Sequence, residues 1–160
     1  MADSVFAASD GVVTTFAIVA GSAGASLGTN VVLIMGFANL LADGFSMAAG
    51  NYLGVKSEND YEDAKGGGGV YKCSPIRHGI ITFLAFNIAG LIPLLPFLFS
   101  AESSFSISAV LVGFSLFAVG FLRSIFTKKN VFKSGMEIFT IGGLAAFVAF
   151  VVGYIIDRII

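Results

Sequence analysis

Apolar positions in this chain come in long unbroken blocks, not in short alternations. Residues 11–42, 79–101, 103–122 and 138–156 contain no Asp, Glu, Lys or Arg, and another apolar run opens at Val5. About 20 apolar residues in a helix cross the ~30 Å hydrocarbon core of a bilayer. The pattern predicts an all-α polytopic membrane protein, a single domain of five transmembrane helices at 5–26, 30–55, 76–99, 106–126 and 134–157. Gly28-Thr29-Asn30 punctuates the first two helices. So little polar sequence surrounds it that the chain must turn back tightly there, leaving antiparallel neighbours. Pro93 and Pro96 should bend the far end of the third helix, as neighbouring helices permit in a membrane. The longest connection, 56–75, reads as a short acidic, glycine-rich loop with no room for a second domain.

Composition supports the bilayer as solvent. Of 160 residues, 56% are hydrophobic and 12% charged, with a mean hydropathy of +0.92, against roughly 25% charged in a soluble domain. A net charge of −1 with scattered basic residues offers no nucleic-acid surface. The lone Cys73 excludes an internal disulfide, and the lone His78 excludes a His-rich metal site. No basic region precedes the first apolar run, which argues for a retained span over a cleaved signal. Eight of the nine basic residues, Lys56, Lys65, Lys72, Arg77, Arg123, Lys128, Lys129 and Lys133, flank two connections on one side, and Arg158 stands on the other. The positive-inside rule then places the N-terminus in the cytoplasm and the C-terminus across the membrane.

The 56–75 connection carries Glu58, Asp60, Glu62 and Asp63 before Gly66-Gly67-Gly68-Gly69. Its acidic part can continue the second helix, with Glu58 and Glu62 one turn apart on one face. Four glycines would end that helix. A solvated acidic loop with a flexible hinge, a surface that gathers cations, and a linker in place of a longer insertion all remain open.

Asp43 is the least expected residue. A carboxylate in the middle of a span costs about 2.5–3.5 kcal/mol on insertion scales, and such residues face an interior or a cavity. Asn39, Asp43, Met47 and Asn51 recur every fourth position. At 1.5 Å per residue they form a column of amide, carboxylate, thioether and amide groups about 6 Å apart. Asp10 lies more than a turn inside the first helix, with Thr14 one turn further on. Antiparallel packing is expected to bring Asp10, Thr14, Met47 and Asn51 together. Carboxylate and amide oxygens suit Mg, Ca and Mn, and a thioether shifts the preference toward Fe(II) or Cu(I), which makes Fe(II) or Mn(II) the natural cargo. With no His or Cys inside the membrane, a zinc thiolate site is disfavoured. A carboxylate desolvated at this depth can trade a metal ion for a proton, so proton-coupled transport follows as a mechanism.

Plainer readings stand beside these. Met47 can be packing, Asp10 can be a carboxylate favoured by the helix dipole, and Asn39 and Asn51 can be interhelical hydrogen-bonding residues. Asn87 and Glu137 either line a pathway or pack, and Cys73 and His78 read as incidental. Two intramembrane aspartates also admit an aspartyl hydrolase, although Asp43 follows Leu-Leu-Ala and not Gly-x-Gly. A non-transporting scaffold is the third alternative.

Ser9-Asp10-Gly11 with 14–21 resembles the first helix of the vacuolar iron transporter family, 42–52 (Ala-Asp-Gly-Phe-Ser-Met-Ala-Ala-Gly-Asn-Tyr) its second, and 90–96 its third. The resemblance implies a non-enzymatic homodimer, without a prosthetic group, that moves Fe(II) and often Mn(II) out of the cytoplasm in exchange for protons. It implies a vacuolar-type membrane in a eukaryote or the cell membrane in a prokaryote. It places metal ligands at Asp10 and Met47. The family's acidic ligand on the second helix falls on Asn39, so the charge is expected from Asp43 instead, and many members carry an acid at Asn51. Many members also insert a long metal-gathering domain where this chain has its glycine run, so weaker capture of cytoplasmic metal is expected. Ala17, Gly21 and Ala25, with Gly24 and Gly28 beside them, form small-residue ridges that fit dimerisation through the first helix.

Overall fold

The structure, a computed structural model, describes residues 2–66, 73–99, 104–127 and 130–160. Lys72, Lys128, Lys129 and Gly67–Gly69 lie outside the described residues. Helices α1 (Ala2–Gly24), α2 (Thr29–Ala64), α3 (Pro75–Gly90), α4 (Leu95–Leu98), α5 (Ser104–Thr127) and α6 (Val131–Ile159) follow one another, with a 3₁₀ turn at Ile92–Leu94. Together α3, the turn and α4 make one span, so five segments are long and apolar enough to cross a membrane.

Helix α1 runs through the centre of the bundle and packs against α2, α3, α5 and α6. Small residues make that possible. A Cβ at Gly11 would strike the Phe86 carbonyl of α3, and a Cβ at Gly24 would strike the Phe150 carbonyl of α6. Within lipid the hydrophobic effect adds little between helices, so close backbone approach and dispersion hold the bundle together. Val12, Thr15, Phe16 and Val19 of α1 are buried among Leu40, Phe86, Leu94 and Leu116. Ile34, Phe45, Phe114 and Phe147 point outward, as lipid-facing side chains do.

These contacts revise the expectation for the small-residue ridge of α1. Gly21 faces Ala149 of α6, and Gly24 faces Phe150 and Tyr154. A central helix spends its small residues within its own protomer, so those two glycines are not free for a second copy.

Three boundaries also differ from the sequence reading. First, α1 begins at Ala2 and ends at Gly24; the reversal falls at 25–28, where Ser26 has φ 52° and Leu27 N–H donates to the Ser22 carbonyl at 2.9 Å. Gly28 is the extended residue that precedes α2, not the turn itself. Second, α2 runs past Val55 to Ala64, the continuation of the second helix that the acidic part of the 56–75 connection allowed. It stops where Gly66 adopts φ 77°, a left-handed conformation that glycine takes freely. Glu58 and Glu62 are therefore exposed residues of a helical extension. Third, the bend in the third span is a break. Pro93 and Pro96 lack backbone donors, and the Ser108 and Ser104 hydroxyls of α5 donate to the Pro93 and Pro96 carbonyls at 2.7 and 3.3 Å.

Candidate functional site

The site is set by the register of α1 against α2. One face of α2, Val32, Gly36, Leu40 and Gly44, is buried at four-residue intervals. A Cβ at Gly36 would meet Leu94, and one at Gly44 would meet Asn87, so this stripe seats α2 on the third span. Asn39, Asp43 and Met47 flank the stripe and are half-buried. That edge is where α1 runs.

Asp10 and Asp43 lie near enough to interact electrostatically, while the Asp10 side chain is partly desolvated. Two turns away toward the α1 N-terminus, Asp3 and Phe6 line a cavity of about 270 Å³ with Met47, Gly50, Asn51 and Thr82. Both observations give one antiparallel register, because the seven residues from Asp3 to Asp10 match the seven from Asp43 to Gly50. At 1.5 Å per residue the two levels are roughly 10 Å apart.

This geometry corrects the expected convergence of Asp10, Thr14, Met47 and Asn51. Asp10 is level with Asp43, and Met47 and Asn51 share their cavity with Asp3. Because α1 begins at Ala2, Asp3 is part of the helix, and the register between α1 and α2 brings it to the cavity beside Met47 and Asn51. Thr14 Oγ1 donates to the Asp10 backbone carbonyl at 2.9 Å, a bond within its own helix. Asn51 Nδ2 donates to Thr82 Oγ1 across to α3. Asn87 Nδ2 donates to the Phe83 carbonyl at 2.9 Å.

Around the Asp10–Asp43 level two buried polar atoms, Thr15 Oγ1 and Asn39 Nδ2, have no hydrogen-bond partner. An unpaired polar atom in an apolar bundle is costly, by about 1–3 kcal/mol. Two carboxylates near enough to interact there form a concentration of negative charge that a bound cation would relieve. Among the described residues no three of His, Cys, Asp or Glu converge. Any cation at either level would therefore need amide, hydroxyl, thioether or water ligands as well.

Glu137 belongs elsewhere. It accepts from Arg123 Nη1 at 3.2 Å, pairing α6 with α5, and its side chain is half exposed. Exposed ion pairs contribute about 0–1 kcal/mol. Glu137→Gln is thus expected to shift thermal unfolding by little and to leave metal flux at the wild-type rate, as a proteoliposome assay would show.

Asp3, His78, Thr82 and Thr15 were not singled out in the sequence as site residues. Asp3 carried a readable signal, since it lies seven residues before Asp10 and so shares its helical face. His78, whose Nδ1 lies 3.2 Å from Asp3 Oδ2, carried none, because that contact joins residues 75 apart in sequence.

Comparison with known proteins agrees with this architecture. The model of the VIT family matches residues 1–67 and 69–154, two segments that meet within the glycine run. A vacuolar iron transporter of Toxoplasma gondii is 27% identical over an alignment covering 98% of this chain and 74% of its own. Vacuolar iron transporter homolog 1 of Arabidopsis thaliana is 32% identical, with 92% of this chain and 78% of its own covered. The first alignment runs over 223 positions and the second over 156, so the T. gondii protein carries a long insertion that the A. thaliana one lacks. In that respect the present chain is a short form. A match over nearly the whole chain, on a bundle of five membrane-spanning segments, establishes that this protein belongs to the VIT family.

Proposed function

We propose that this chain transports divalent transition metal, Fe(II) and also Mn(II), out of the cytoplasm in exchange for protons. The observation that carries the reading is a pair of intramembrane carboxylates, Asp10 on α1 and Asp43 on α2, near enough to interact electrostatically, with Met47 one turn further along the same edge of α2. Carboxylate oxygens supply charge for a hard or borderline cation, and the thioether favours Fe(II) over Mg(II) or Ca(II). Once the metal leaves, two neighbouring carboxylates in an apolar setting need another cation, and protons are the available one. Asn39 keeps an amide at the next level without adding a third negative charge.

Orientation follows from the basic residues, which place the N-terminus and the Asp3 level on the cytoplasmic side. The relatives named as vacuolar transporters favour a vacuolar-type membrane. For the homodimer, the N-terminal half of α1 is the part left open, where Phe6 is exposed and Asp10 and Thr14 are half-buried. The curated relatives bear the names of transporters, which favours transport over the hydrolase and scaffold alternatives.

Purified protein in liposomes tests the reading. External Fe(II) should enter in parallel with proton release to the outside, and the absence of both movements would overturn it. Met47→Leu keeps the side chain's volume and removes its sulfur. It should lower Fe(II) flux by about tenfold or more while lowering Mn(II) flux less, because the harder ion depends less on a thioether. Equal losses for both ions would remove Met47 from the ligand set.

A further inference from the structure

We propose that Leu94, carried by the broken turn of the third span, is the apolar barrier that closes the pathway on the side away from the cytoplasm and keeps metal and proton movement coupled. The proposal deepens the transport reading and rests on it for the location of the pathway.

An ion held at the Asp10–Asp43 level has to leave toward the N-terminal end of α2, the end opposite the basic connections. Gly36 lies seven residues further that way, roughly 10 Å at 1.5 Å per residue. Its missing side chain leaves a notch that Leu94 fills, because a Cβ at Gly36 would strike both methyl carbons and Cγ of Leu94. The turn at Ile92–Leu94 packs on α1 and α2 as well as on α5, so it lies against both walls of the α1–α2 seam. Leu94 is wholly buried, and Phe16, Val19, Ala20, Val32 and Leu40 near this level are buried and apolar too. An apolar constriction of this kind sheds water and blocks an ion without any charged group.

The turn is not tied into a continuous helix. Helix α3 ends at Gly90, α4 begins at Leu95, and Pro93 and Pro96 lack backbone donors. What holds the segment is α5, whose buried Ser108 hydroxyl donates to the Pro93 carbonyl at 2.7 Å and whose Ser104 hydroxyl donates to the Pro96 carbonyl at 3.3 Å. Withdrawing Leu94 from the Gly36 notch therefore breaks side-chain hydrogen bonds to α5 and leaves the helices α1 and α2 whole. A short 3₁₀ stretch within a span is suited to act as such a hinge.

The test follows proton leak and metal flux separately in liposomes. Without metal, a potassium diffusion potential drives protons inward and a trapped pH dye reports them. Wild-type protein should leak at a rate near that of empty vesicles. Leu94→Ser, which wets the constriction, should raise the leak by about tenfold, part of the barrier that an apolar layer sets against a charge. Leu94→Ala is the second variant, should serine impair folding, and is expected to leak as well. Leu94→Met keeps the volume and should stay near wild type. Leu116→Ala removes a comparably buried leucine that packs against Gly142 of α6, and it should not leak. Under an imposed pH gradient, wild-type vesicles should accumulate Mn(II) and Leu94→Ser vesicles should not. A wild-type leak rate in both Leu94→Ser and Leu94→Ala, with metal flux intact, would overturn the barrier and spare the transport reading. An equal leak in Leu116→Ala would also overturn it, as a general loosening of the bundle. A raised leak in Leu94→Ser beside no metal flux in wild-type protein would overturn the transport reading and leave the barrier standing.

Discussion

Asp10→Ala is expected to reduce Fe(II) flux in proteoliposomes to the background of empty vesicles, with the protein still folded and inserted. Asp10 on α1 lies near enough to Asp43 on α2 to interact electrostatically, and about one turn further on Thr15 Oγ1 and Asn39 Nδ2 find no protein partner. Removing one carboxylate halves the charge available to a divalent ion. Loss of an outer partner already lowers metal affinity by about 10–100-fold, so loss of a ligand should exceed that. Asp10→Asn separates charge from shape: it should match alanine in flux while retaining near wild-type thermal stability. Asp43→Asn should give the same phenotype if the two carboxylates act as a pair. Wild-type flux in Asp10→Asn would remove Asp10 from the pathway, whatever alanine did.

The second large effect is structural. Gly11→Val should lower the thermal unfolding temperature in detergent strongly and abolish transport with it. A Cβ on Gly11 would collide with the carbonyl oxygen, carbonyl carbon and Cα of Phe86, all main-chain atoms of α3 that no rotamer change can move aside. The helices would have to separate along a face that also buries Thr15 and Phe86. Overpacking of a tight core costs typically 1–3 kcal/mol, and more where backbone must shift. Gly50→Ala is the control. Nothing lies within 4 Å of a Cβ at Gly50, and alanine is preferred to glycine in a helix by about 0.8–1.0 kcal/mol. That variant should be as stable as wild type or more so. Similar unfolding temperatures for Gly11→Val and Gly50→Ala would show that the α1–α3 approach is looser than described.

Much of the architecture is legible in the sequence because membrane insertion imposes a strong local rule. Every backbone polar group must be satisfied within its own segment, so charge-free stretches become helices. Asp43 stood out for the same reason: a carboxylate in such a stretch is conspicuous. A disturbance at Pro93 and Pro96 was readable as a bend, since proline removes a donor wherever it sits, but not that it breaks the helix. The outer limits of the helices were less legible. Hydropathy registers where lipid begins, not where a helix stops, so the start of α1 at Ala2 escaped it, and the extension of α2 to Ala64 was legible only from the spacing of its acidic residues.

Pairings between helices were the least legible. A column of polar residues on α2 can meet α1 at several registers, each consistent with one tight turn. The register adopted sets Asp3 beside Met47 and Asn51. The small-residue ridge of α1 was equally ambiguous. Glycine spacing marks close approach without naming the partner, and Gly21 and Gly24 approach α6 of the same chain.

By itself, then, the sequence determined five apolar spans, a bend in the third, and intramembrane acids at Asp10 and Asp43. Each follows from what lipid allows of a single segment. Only the tertiary structure decided that Asp10 comes near enough to Asp43 to interact, that Met47 and Asn51 share a cavity with Asp3, and that His78 pairs with Asp3. Those facts depend on helix register and on contacts as far as 75 residues apart, and side-chain packing between segments settles them where no local pattern can.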